Sequence, residues 1–384
     1  MNADFLNEAE GLAPELTALR REIHRCPELG NREKKTAQLV ETFLRDCGIE
    51  TRRPTGDTAV MGILQGAFPG KAVALRADLD ALPVQEATGA EFASRVPGAM
   101  HACGHDVHTA AVLGAAKLLS RYRDTLHGSV IFLFEPDEEG RGGAKRMVDA
   151  GCMAGVDAVF GAHVSPDLPL GMVGVRYGKF YAASDTFTVT VLGRSAHGAQ
   201  PEKGIDALAA AAKMVTALKA LPSRFAPEPA VLSVGTLHAG TAGNIIADRA
   251  VFSGILRTLG PDSRAAMKEA FGQTLEHLAA ETGTTVETEL RESYGGIVNT
   301  DGETALVQKT AGALLGADHV VELREPVMTT EDFGCFIDAA SGSFYHIGAG
   351  CSAPLHSPKF LPDDRAVVVA AALHAAVAAA RLSL

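Results

Sequence analysis

The residues best suited to chemistry fall in a few short segments. MHACGHDVH brings His101, Cys103, His105 and His108 into one stretch. Thiolate, imidazole and carboxylate are the usual donors to zinc and related divalent ions. Carboxylates are at hand in RADLD (Asp78, Asp80) and in FEPDEEG (Glu135, Asp137, Glu138, Glu139). His163 and His356 stand alone in GAHV and PLHSP. A cysteine at a helix N-terminus is expected to have a lowered pKa. Two adjacent glutamates can divide labour, one holding a cation while the other takes a proton from water. A glutamate pair also occurs on ordinary surfaces. Here a buried strand precedes the pair, and Gly140, Gly142 and Gly143 follow it. His24, His127, His277, His319, His346 and His374 read as structural or solvated.

These residues need a scaffold that makes them converge. Apolar runs at 72–75, 130–134, 156–162 and 344–347 read as buried strands. The stretches 109–119 and 143–150 read as helices between them. This alternation predicts an α/β domain with a largely parallel central sheet. Ligands of such sheets bind beyond the carboxyl ends of the strands. Those ends carry Asp78 and Asp80, Glu135 to Glu139, and His163, and a loop from the last strand leads to His356. Two amphipathic helices open the chain, with Leu16, Leu19 and Ile23 on one face and Leu39, Val40, Phe43, Leu44 and Cys47 on the next. Gly48 reads as a C-cap.

The middle of the chain has another rhythm. Strand at 186–192, helix at 205–221, strands at 231–237 and 250–256, helix at 262–282 and strand at 285–290 give β-α-β-β-α-β. That is the split βαβ, ferredoxin-like order. The expected organisation is a catalytic domain of residues 1–181 and 294–384, interrupted by an inserted α+β domain at 182–293.

Composition narrows the function classes. At 384 residues the chain exceeds the roughly 250–300 at which one core stops growing, so two domains are expected. A net charge of −11 argues against nucleic acid as a partner, while a local cationic pocket for an anionic small molecule remains open. Six scattered cysteines predict reduced thiols and a cytoplasmic setting. The acidic MNADFLNEAEG lacks the apolar region of a signal peptide. The apolar segment 366–380 is shorter than the ~20 residues of a span, so a packed C-terminal helix and no membrane association are expected.

With these segments assembled, the chain resembles the metallopeptidase and aminoacylase superfamily that includes succinyl-diaminopimelate desuccinylase and bacterial glutamate carboxypeptidase. Within it, the chain is most similar to the amidohydrolase subfamily of hippurate hydrolases, N-acetyl-diaminopimelate deacetylases and auxin-conjugate hydrolases. The resemblance rests on HRCPELG, ALRADLDALPVQE, MHACGHDVHTAAVLG, FEPDEEGRGGAKRMVDAG, GRSAHGAQPEKGIDAL, GTAGNIIAD and HSPKF, in family order over nearly the whole chain. It implies a metallopeptidase-type catalytic domain with an inserted dimerisation or lid domain. It implies two divalent ions per chain, Zn2+ or Mn2+, with Co2+ or Ni2+ as substitutes. Cys103, His105, Glu139, His163 and His356 match the metal ligands, and Glu138 matches the general base. Asp78 matches a carboxylate that orients a ligating histidine, and Arg76 stands where the wider superfamily has a ligating histidine. His197, Asn244 and Arg257 match substrate-contacting residues of the inserted domain, and a homodimer through that domain is implied. Two segments depart from the pattern: Glu135 and Asp137 stand where Gln and Ala are common, and Thr330 where Ser is common.

The expected activity is metal-assisted hydrolysis of the amide bond of N-acyl-amino acids. His197 would serve as oxyanion donor, and Arg257 and Asn244 would hold the amino acid carboxylate. The alternatives are a dipeptidase or carboxypeptidase, with Glu135 or Asp137 binding a free amine; a Cys103–His105 nucleophile pair; and a non-catalytic binding protein.

Overall fold

The computed structural model describes residues 4–383. The chain divides into two compact units. The first comprises Met1–Gly178, Asn299–Glu325 and Asp332–Leu384, and the second Lys179–Val298 and Pro326–Glu331.

The first unit is built on an eight-stranded mixed sheet. In spatial order its strands are Glu50–Arg52, Val60–Gln65, His127–Glu135, Phe68–Asp78, Ala158–Ser165, Ser341–Gly348, Val173–Val175 and Val320–Glu322. The four central strands run parallel, and antiparallel pairings lie to either side of them. The central strands are buried almost throughout, as apolar runs covered on both faces must be. Their registers bring Asp78 opposite Glu135 and His163 opposite His346, so the strand ends meet at one rim. The expected core strands are all present. The short flanking strands Glu50–Arg52, Val173–Val175 and Val320–Glu322 carry too little pattern to be read from sequence.

Helix His105–Ser120 is buried along almost its whole length and packs against Arg365–Leu382. Arg365–Leu382 is long and apolar enough to cross a membrane by composition. It is instead a core helix, with Ala366, Val367, Leu373, Val377 and Ala378 fully buried. A buried ionic layer lies beneath the start of His105–Ser120. Arg20 Nε donates to Asp106 at 2.6 Å, and His24 Nδ1 lies 2.8 Å from the same carboxylate.

The second unit has a four-stranded antiparallel sheet ordered Val231–Ala239, Arg249–Thr258, Ala183–Leu192, Thr285–Glu292. With helices Ala207–Lys219 and Pro261–Thr282 this is the ferredoxin-like order expected from the β-α-β-β-α-β rhythm. Asp206 caps the first helix by accepting Ala209 N–H. Met214, Phe252, Met267, Phe271 and Leu275 form a core separate from that of the first unit. Residues 326–331, which the sequence reading left with the first domain, belong here for a backbone reason. Val327 N–H bonds Phe180 O, and Ala182 N–H bonds the carbonyls of Val327 and Thr329.

Candidate metal centre and catalytic residues

The first unit gathers Cys103, His105, Glu138, Glu139, His163 and His356 at the rim of its sheet. Cys103 and His105 flank Gly104, whose φ is 92°. That left-handed turn suits glycine, and a Cβ there would lie 2.3 Å from Val164 Cγ2. The tight turn lets a thiol and an imidazole face the same space. Cys103 Sγ is 3.3 Å from His163 Nε2. The other His163 nitrogen, Nδ1, donates to Val164 O at 2.7 Å, which leaves the lone pair on Nε2. His356 also has a left-handed backbone, φ 64°, and its N–H is tied to Ala102 O. Its Nε2 stands 3.1 Å from Glu139 Oε1. Left-handed conformations in a non-glycine residue cluster at functional sites.

The electrostatics call for a cation. His105 is buried, with Nδ1 3.3 Å from Asp80 Oδ1 and Nε2 lacking a hydrogen-bond partner among the described residues. Its Nε2 lies 4.0 Å from both Glu138 Oε2 and Glu139 Oε1. Burial alone would lower its pKa, but Asp78, Asp80 and Glu139 raise it to about 10. Burial pushes the Cys103 thiol well up, and Glu139 and Glu138 push it further. The helix N-terminus expected to lower that thiol is outweighed. Burial would likewise raise Glu139, yet the His356 hydrogen bond and the His105 charge hold it below the usual carboxylate value. Buried carboxylates, a thiol and an unpartnered imidazole nitrogen become mutually satisfied when positive charge stands among them. Ligand atoms of Cys103, His105 and His163 lie within 4.8 Å of one another, as do those of Cys103, Glu139 and His356, and of His105, Glu138 and Glu139. The donor set therefore fits divalent metal.

Asp78 lies against two histidines, with its Oδ2 3.7 Å from His105 Nε2. Its Oδ1 takes His108 Nδ1 at 2.7 Å, and His108 Nε2 accepts Val164 N–H at 2.9 Å. With both nitrogens engaged, His108 has no lone pair for a metal. Asp80 is the carboxylate set against His105 Nδ1, at 3.3 Å, and its Oδ2 also accepts Glu139 N–H at 3.0 Å. Sequence reading missed this, since Asp78 and Asp80 are two residues apart at one strand end. Arg76 is buried and binds Glu135 Oε2 at 2.7 Å and Asp78 Oδ2 at 2.8 Å. Glu135 and Asp137, expected in the peptidase alternative to bind a free amine, are themselves buried. Glu135 is paired with Arg76, and Asp137 accepts from Asn31.

The second unit holds His197, Asn244 and Arg257. His197 pairs with Ile245 in a two-stranded ribbon, and Gly198 N–H bonds Asn244 O. His197 Nδ1 accepts Ala199 N–H at 3.1 Å, so the neutral ring carries its proton on Nε2. Arg257 is half-buried, with Nη1 lacking a partner among the described residues. Burial lowers its pKa. His197 and Arg257 occupy opposite ends of this unit. Arg257 pairs with Ser184 and Arg249 with Leu192, and His197 lies beyond Leu192. Eight strand residues span roughly 26 Å at about 3.3 Å each.

Comparison with known proteins places this geometry. A model of Peptidase family M20/M25/M40 matches residues 74–380. Thermostable carboxypeptidase 1 of Saccharolobus solfataricus is 38 % identical over 383 residues, 97 % of this chain and 96 % of the relative. N-acyl-L-amino acid amidohydrolase of Geobacillus stearothermophilus is 43 % identical over 291 residues, 75 % of this chain and 78 % of its own length. A solved Bacillus subtilis structure, described as a dinuclear metal binding peptidase from the M20 family, superposes with a TM-score of 0.88 at 34 % identity. That match covers 97 % of this chain and 99 % of the other.

Proposed function

Because the chain belongs to peptidase family M20/M25/M40, we propose that it hydrolyses the amide bond of N-acyl-amino acids, N-acetylated or hippurate-like, to a carboxylate and a free amino acid. It is a metal-dependent amidohydrolase. The substrate and the residue roles are the content of the proposal.

Hydrolysis rests on one observation above all: the convergence of Cys103, His105, Glu139, His163 and His356 around unpartnered buried nitrogen, with Glu138 beside them. These five residues would hold two divalent ions, zinc or manganese. Bound there, the ions would polarise the acyl carbonyl and acidify water. Glu138 takes the proton of the attacking water and returns it to the leaving amine. Asp80 and the Val164 carbonyl orient the imidazoles of His105 and His163. His197 donates from Nε2 to the developing oxyanion. Arg257 and Asn244 bind the amino acid carboxylate. The unpartnered Arg257 Nη1 supports an anion there.

A substrate of this size cannot touch both His197 and Arg257 of one chain across some 26 Å of sheet. A homodimer resolves this, with His197 and the adjoining Asn244 supplied by a second copy. The peptidase alternative is disfavoured by the burial of Glu135 and Asp137 and by their bonds to Arg76 and Asn31. We take the protein to act in the cytoplasm, consistent with six unpaired cysteines. The test is a panel of N-acyl-amino acids and dipeptides, with metal content measured in parallel. The proposal expects turnover of the acyl compounds to exceed that of the dipeptides. Preference for dipeptides would replace it with the peptidase reading.

A further inference from the structure

The turn that carries Glu138 and Glu139 is held by a loop far away in sequence. Strand His127–Glu135 ends, Pro136 follows, and Asp137 turns the chain with φ 62°. Asn31, in the segment after HRCPELG, has φ 61°. Left-handed backbone is uncommon outside glycine, and Asn and Asp are among the residues that tolerate it.

These two unusual residues meet. Asn31 Nδ2 donates to Asp137 Oδ2. Glu33 Oε1 accepts Asn31 N–H and Asp137 N–H, each at 2.9 Å, while its Oε2 accepts the Thr58 hydroxyl at 2.7 Å. Arg146 Nη2 donates to Asn31 Oδ1 at 2.8 Å. Asp137 in turn organises the loop beyond it, since its Oδ2 accepts Arg141 N–H and its carbonyl accepts Gly142 N–H. The carboxylate is seated between two glycines. A Cβ on Gly30 would lie 2.0 Å from Asp137 Oδ1, and one on Gly140 would lie 2.1 Å from it.

We propose that Asn31 and Glu33 are positioning residues for the hydrolysis: by holding Asp137 in its left-handed turn, they fix the direction in which Glu138 and Glu139 leave the strand. The inference rests on the reading of Glu138 as general base. It also gives Asp137 a role as half of a pair rather than a substrate contact. The clamp acts on reacting groups it does not touch, and small misplacements of such groups are costly to rate.

The experiment uses full-length, metal-loaded enzyme and steady-state hydrolysis of an N-acyl-amino acid. Metal content and melting temperature are measured on every variant. Asn31→Asp sets two carboxylates against each other, whereas Asp137→Asn leaves an amide oxygen to accept from Asn31 Nδ2. The double variant Asn31→Asp/Asp137→Asn restores one donor–acceptor pair with its direction reversed. Asn31→Asp is expected to lose about tenfold or more in kcat with KM changed less than about twofold, and the double to recover most of that loss. Gly30→Ala should lose kcat likewise. Gly11→Ala, whose Cβ would meet nothing within 4 Å, should not. Parent-like kcat in Asn31→Asp, beside an inactive Glu138→Gln reference, overturns the clamp alone. So does a loss that follows melting temperature and is not recovered in the double. Full activity of Glu138→Gln overturns the general-base reading first and the clamp with it.

Discussion

Cys103, His105 and His163 are buried and oriented by neighbours of their own unit, whereas His197 and Asn244 of the second unit are exposed and Arg257 is half-buried. Asp80 stands against His105, Val164 O fixes the His163 tautomer, and the Arg20–Asp106–His24 layer lies beneath the helix that His105 begins. In the second unit the His197 side chain accepts only the N–H two residues on among the described residues, and Arg257 keeps an unsatisfied nitrogen. The contrast separates two tasks. A reacting centre must be rigid before substrate arrives. Groups that recognise substrate gain their partners only when it binds, so they stay open. The wide separation of His197 from Arg257 in one chain is the reason a dimer is part of the proposal.

The largest effect should come from the rigid region. Glu138→Gln is expected to keep bound metal while losing about 10²–10⁴ in kcat, the usual contribution of a general base. Loss of metal from this variant, with retention in Glu139→Gln, would exchange the two roles. In the open region, His197→Ala should lower kcat by roughly 10²–10³, as removal of an oxyanion donor does. Mixing inactive His197→Ala with inactive Glu138→Gln should then restore activity, because a mixed dimer holds one complete site. No recovery after verified subunit exchange would place His197 within its own chain's site or outside any site.

Arg257→Lys should act more mildly, raising KM on the order of tenfold while leaving kcat near the parent value, since Lys lacks the bidentate fork. Titration of KM with substrates lacking the carboxylate should abolish the difference between variant and parent. The smallest effect concerns the buried support of the rigid region. Burial lowers the pKa of His24, but the Asp106 carboxylate and the Glu86 hydrogen bond raise it to about 8. A folded-state pKa above the ordinary 6.5 stabilises fully below about pH 6.5, and this stabilisation is lost as pH rises through about 8. Its size is on the order of 1–2 kcal/mol. Denaturant midpoints at pH 6 and pH 9 should differ less in His24→Gln than in the parent.

The central strands were legible in sequence because burial on both faces leaves long apolar runs, as in 130–134, with polar residues massed at their ends. The flanking strands were not, since three-residue strands such as Glu50–Arg52 have no periodicity to detect. Cys103, His105, Glu139, His163 and His356 stood out as metal-type donors in the resemblance, and the fold brings them to one rim. That Asp80 as well as Asp78 faces His105 was not legible. Both sit at one strand end, and only the position of His108 against Asp78 separates them. The pairing of Asn31 with Asp137 was equally hidden, because each residue's left-handed backbone and its partner are properties of the folded chain.

The most direct test is to strip the purified protein with a chelator and follow hydrolysis of an N-acetyl-amino acid as Zn2+ or Mn2+ is returned. The metal-free protein should be inactive, with activity rising to a plateau at about two ions per chain and the same course absent in Cys103→Ser. Full activity in protein shown to be metal-free, or restored activity that is indifferent to Cys103→Ser, would contradict the assignment of this site as the hydrolytic centre.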